Sequence, residues 1–81
     1  MTIRILFFAS LAQRLGAAES SVQLPDGSTV RDAYRTLTAR HPCLAEAADN
    51  LAFAVNMVYV DARHTLRDGD ELALIPPVSG G

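Results

Sequence analysis

The sequence predicts an α+β domain in which a mixed sheet folds around one main helix. Three observations carry that prediction. Short stretches of alternating or β-rich residues recur at both ends of the chain. A single eleven- or twelve-residue segment in the middle has helical spacing. The order strand, strand, helix, strands is most economically satisfied by one sheet with the helix packed on one face. At 81 residues, one domain is expected. Hydrophobic residues at 49% and charged residues at 20% suit a packed core and argue against disorder.

The first strand is read over Ile3 to Ala9. Ile3, Ile5 and Phe7 point one way and Arg4, Leu6 and Phe8 the other, so both faces are largely apolar, as in an interior strand. Ser10-Leu11-Ala12-Gln13 has capping-box spacing and opens a short helix that Gly16 can close. Ser20 to Leu24 alternates as a second strand, and Pro25-Asp26-Gly27 is a turn. Thr29 caps the main helix, with Asp32 in its first turn. Val30, Ala33, Tyr34 and Leu37 form one helical stripe, and Pro42 ends the helix. Leu44 to Ala48 is expected to form a further helical turn. Ala52 to Val60 reads as two short strands bent at Asn56. A polar loop over Asp61 to His64 and a turn at Asp68-Gly69 lead to the last strand, Glu71 to Ile75. The first strand should lie centrally beside the last. Ile3, Ile5, Phe7, Val30, Tyr34, Leu37, Leu72 and Leu74 are the expected core.

With the helix on one face, the opposite face would carry Leu6, Phe8, Ala73 and Ile75, with Tyr59 beside them. Apolar surface left in water costs about 25 cal/mol per Å², so a contiguous patch on a small domain marks a partner-binding surface unless the sheet curls or a short helix covers it. The chain divides into a folded part, residues 1–75, and a tail, residues 76–81. In the tail Pro76 and Pro77 stiffen the exit, Val78 and Ser79 follow, and Gly80-Gly81 forms a tip without side chains. Fully extended it reaches roughly 20 Å, at about 3.3–3.6 Å per residue. Glycine backbone can pass a channel that a β-carbon would block.

Several function classes are disfavoured. A net charge of −2 without a basic cluster gives no nucleic-acid signal. No apolar run approaches the ~20 residues of a membrane span, and the N-terminus lacks a signal-peptide layout, so the cytoplasm is the expected compartment. Cys43, the single cysteine, cannot build an intrachain disulfide or a Cys-rich metal site, and burial as a small hydrophobe is expected for it. His41 and His64 sit in no ligand motif. All seven basic residues are arginine, so the chain has no side-chain amine to accept an isopeptide bond.

Ala54-Val55-Asn56, the run Leu66-Arg67-Asp68-Gly69-Asp70-Glu71-Leu72, and the ending Pro76-Pro77-Val78-Ser79-Gly80-Gly81 together resemble the small sulfur-carrier subunits of molybdopterin synthases. Ile3 to Phe8 is similar as well, and the likeness covers essentially the whole chain. A Gly-Gly end is common to ubiquitin-like carriers, but Pro-Pro-Val-x-Gly-Gly is closer to this family than to the thiamine sulfur carriers. The resemblance implies a β-grasp fold. It also implies that a ubiquitin-activating-like adenylyltransferase uses ATP to adenylate the Gly81 carboxylate, which sulfur then converts to a thiocarboxylate. The large synthase subunit would take the tail and use that sulfur for the dithiolene of molybdopterin, usually in an assembly of two small and two large subunits. No catalytic residue, bound cofactor or metal is expected on this chain. Adenylation makes chemical sense, since a free α-carboxyl ionises at about 3.3–3.7 and its anion is a poor electrophile until given a leaving group. A thiamine-type or other carrier, a protein modifier joined through Gly81, and an interaction domain with an inert tail remain alternatives.

Overall fold

The computed structural model describes residues 1–45 and 51–77. Five strands form one sheet: β1 (Thr2–Phe7), β2 (Glu19–Gln23), β3 (Ala52–Val55), β4 (Val58–Val60) and β5 (Glu71–Ile75). Their spatial order is β2-β1-β5-β3-β4. Only β1 and β5 run parallel. Two helices connect them, α1 (Ser10–Leu15) and α2 (Val30–Arg40).

Alternation sets the two faces of the sheet. Ile5 pairs with Leu72 and Phe7 with Leu74, while Leu74 and Leu72 face Phe53 and Val55 on the other side. These residues, Phe53 half-buried among them, form a continuous apolar layer under α2, whose Val30, Ala33 and Leu37 are fully buried. Enclosing a leucine of this kind is worth about 1.5–3 kcal/mol. Every expected core residue is buried except Tyr34, which is half-buried and donates its hydroxyl proton to the Leu44 carbonyl. Leu11, Val22, Leu24, Leu44, Val55 and Leu66 complete the core.

The main helix starts where expected, with a reciprocal cap. The Asp32 N–H donates to the Thr29 hydroxyl at 3.3 Å, and the Thr29 N–H donates to the Asp32 carboxylate at 2.9 Å. The Thr29 backbone bond is the main influence holding the Asp32 pKa below its usual 3.8, partial burial opposes it, and the Thr29 hydroxyl, Arg35 and Arg31 add to the lowering. A depressed folded-state value stabilises the fold above the unfolded value and ceases to do so as pH falls through the folded one. Wild type should therefore have a higher urea midpoint than Asp32→Asn at neutral pH, and the gap should close below pH 3.8. A gap unchanged in acid would show that the carboxylate charge is not responsible.

The expected cap on α1 is not formed. β1 ends at Phe7, and Ala9, at φ 49° and ψ −125°, is the N-cap without a side-chain bond. Ser10 is the first helical residue, because this abrupt strand-to-helix turn is closed by the Leu11 N–H donating to the Phe8 carbonyl. Gly16 closes α1 in the left-handed region, as expected. After α2, residues 42–45 make a 3₁₀ turn; the rest of the turn expected over Leu44 to Ala48 lies outside the described residues. Among the described residues no helix is long and apolar enough to cross a membrane.

Candidate functional site

The face of the sheet away from α2 carries a trough. Pairing register places Leu6 opposite Ala73, Ala73 opposite Ala54, and Ala54 opposite Tyr59, so one row crosses four strands. The two alanines make a low floor, with Ala73 8% and Ala54 5% exposed. Leu6 and Phe8 form one wall; Tyr59 and Met57 form the other. Phe8 is 46%, Tyr59 72% and Met57 91% exposed. The expected patch is thus brought together, and Ala73, which strand alternation puts on this face, is its buried floor beside Leu6 on β1 and Ala54 on β3. Ala54 and Met57 belong to the trough without having been expected there. Their only signal is the pairing register, which places them beside Ala73 and Tyr59.

The trough runs along β5 toward the tail. Ile75 lines it and is half-buried, Pro76 follows half-buried, and Pro77 is exposed. Val78, Ser79, Gly80 and Gly81 lie outside the described residues. Glu71 closes the opposite end, where Arg4 reaches it at 3.3 Å and Glu19 at 2.8 Å. Such exposed ion pairs add little stability, but they give one end of an apolar trough a polar rim.

The β3–β4 turn is built from Asn56 and Met57, both in the left-handed region at φ 51° and 71°. Val55 pairs directly with Val58, so this is a two-residue hairpin loop of the mirror-image kind that matches sheet twist. Asn56 is fastened to β5: its N–H donates to the Glu71 carbonyl, its side-chain oxygen accepts from the Glu71 N–H, and its side-chain amide donates to Asp70 at 2.9 Å. The turn thereby holds Met57 and Tyr59 beside the trough.

The remaining reactive groups lie elsewhere. Cys43 is half-buried in the 3₁₀ turn, less enclosed than expected. His41 ends α2 and meets the Phe7 ring edge-on at 6.1 Å. His64 is exposed in the polar loop. Among the described residues no three metal-ligating side chains cluster.

Comparison with known proteins gives a consistent result. A model of the ThiS family matches residues 5–81. A Chlamydomonas reinhardtii protein described as a molybdopterin synthase sulfur carrier subunit is 39% identical, with 100% of both chains aligned. Among solved structures, SAMP1 from Haloferax volcanii superposes with a TM-score of 0.90 at 31% identity, covering 100% of both chains. A chain in a Helicobacter pylori complex of subunits 1 and 2 of molybdopterin-converting factor gives 0.71 at 26% identity, again over 100% of both. The architecture found here is the ubiquitin-like β-grasp shared by these neighbours.

Proposed function

Since this chain belongs to the ThiS family, we propose that it is the sulfur-carrier subunit of a molybdopterin synthase. The observation that carries the proposal is the joining of two features on β5: its open face floors an apolar trough, and its end leads directly into Pro76-Pro77 and the Gly-Gly terminus. A partner that seats on Leu6, Phe8, Tyr59 and Ile75 at once aims the tail. Ala73 lets that partner approach the sheet closely.

The chemistry follows from the terminus. The carboxylate of Gly81 resists attack until a ubiquitin-activating-like adenylyltransferase joins it to AMP at the expense of ATP. Sulfur displaces AMP and leaves a thiocarboxylate, which the large synthase subunit uses to build the dithiolene. This chain supplies the carried atom and its positioning; the acid–base groups and the substrate site belong to its partners. Positioning of bound reactants can account for about 7–11 kcal/mol of a barrier. The Helicobacter pylori complex, in which a related chain is held by a second subunit, supports the large-subunit partner. The pathway operates in the cytoplasm and requires no cofactor bound to this chain.

Intact-mass measurement tests the proposal. Incubation with a competent adenylyltransferase, ATP and a sulfur source should replace one oxygen by sulfur at Gly81. No mass change under conditions that load a known carrier would refute it. A second reading is favoured by the superposition on SAMP1, whose name denotes a small archaeal modifier protein: attachment of Gly81 to lysines of other proteins. Trapped lysine-linked conjugates in cells would select that reading, and co-purification with a pterin-binding subunit would select the first. A thiamine-type carrier would instead co-purify with a thiazole synthase.

A further inference from the structure

An activated acyl terminus is captured by any accessible neutral amine. The sequence supplies none on its side chains: its seven basic residues are all arginine, at positions 4, 14, 31, 35, 40, 63 and 67. A guanidinium is planar, permanently charged and has no lone pair free to attack. The Met1 ammonium is engaged within the fold. It donates to the Leu24 carbonyl at 2.7 Å in a part-buried contact, and the Asp26 carboxylate lies 4.0 Å away. The reverse bond, from the Leu24 N–H to the Met1 carbonyl at 2.9 Å, stitches the same residue down a second time.

We infer that this chain is an acyl donor only: while one copy is activated, no amine on another copy competes for its terminus. The inference rests on the adenylation of Gly81 proposed above. The excluded side reaction is simple. An amine lone pair attacks the Gly81 carbonyl carbon, a C–N bond forms, the C–O bond to the phosphate of AMP breaks, AMP leaves with that electron pair, and the nitrogen releases a proton to solvent. Carriers with surface amines are exposed to this loss whenever activated and resting copies meet; this one keeps its terminus for sulfur. Should the chain also modify proteins, each target amine would receive one amide-linked unit, since no side-chain amine offers a point for extension.

The decisive test gives the reaction an amine. Arg63 suits this, with a side chain 90% exposed in a polar loop and paired with Asp61 at 3.6 Å. Wild type and Arg63→Lys are each incubated with a ubiquitin-activating-like adenylyltransferase and Mg-ATP without a sulfur donor, in parallel with and without hydroxylamine. Masses are read after thiol treatment, which removes any thioester to Cys43. At pH 7 about one lysine in 2,500 is neutral, enough for slow capture. The expected result is a Gly81 hydroxamate from both proteins, no covalent dimer from wild type, and from Arg63→Lys a species of two chains less one water, joined from Gly81 to position 63. A wild-type dimer would overturn the inference. So would hydroxamate formation by Arg63→Lys with no dimer, since the missing amine would then not be what prevents coupling. Failure of hydroxylamine to capture either protein would instead overturn adenylation itself, and the inference with it.

Discussion

Adding one alanine after Gly81 is expected to abolish sulfur loading and transfer while leaving the fold unchanged. An extra residue moves the terminal carboxylate along the channel by about 3.3–3.6 Å and brings a β-carbon into a passage that Gly80 and Gly81 suit by lacking one. Displacement of a reacting group by ~1 Å can already cost about 10²-fold in rate, so a loss of at least that size is expected. Intact mass after activation reads the loading, and product formation with the large subunit reads the transfer. The domain should keep its melting temperature, because the core ends at Leu74 and the tail begins after Ile75. Full activity in the extended protein would show that the carried chemistry is not at the terminus.

Phe8→Arg and Ile75→Glu should each weaken binding of the large subunit severely. Phe8 lies just beyond β1 and is 46% exposed, so the isolated domain can accept an arginine there with little rearrangement. In a complex the same position is a wall of the trough, where a charge would be buried against apolar surface. Central apolar anchors typically contribute about 2–4 kcal/mol, which is roughly 30- to 1,000-fold in Kd. Ile75 is half-buried and pairs with Ala52, so its variant needs a melting curve beside the titration. Calorimetric titration with the large subunit gives the affinities. Wild-type affinity in both variants would place the interface on another face.

Much of this arrangement was legible in the residues. Alternation in Ile3 to Phe7 and in Leu72 to Ile75 separates a core face from an open face, and Thr29, Val30, Ala33 and Leu37 declare the main helix by cap and stripe. What escaped was whatever local pattern does not encode. Leu44 and Leu66 are buried from a single 3₁₀ turn and a loop, segments too short or irregular for a period to distinguish inside from outside. Ser10 resembles a cap, but the turn at Ala9, with its positive φ, carries it into the first turn of α1. Asn56 announces a bend; that Met57 shares its left-handed conformation could not be read, since that region favours glycine in such loops. The trough was half legible. Leu6, Phe8, Ala73 and Ile75 follow from strand alternation, whereas Ala54 and Met57 need the register of β5, β3 and β4.

That register also determines how the molecule responds to tension. The terminus hangs from the third of five strands, and β5 is bonded to β1 on one side and β3 on the other. A pull on the tail along the strand loads both ladders in shear, with the Phe8 N–H to Leu74 carbonyl bond adding a further fastening near the exit. Bonds loaded together share force; an edge strand peeled sideways would lose them one at a time. A pull transmitted through β5 is therefore met by two ladders at once, a firmer anchorage than an edge strand would give.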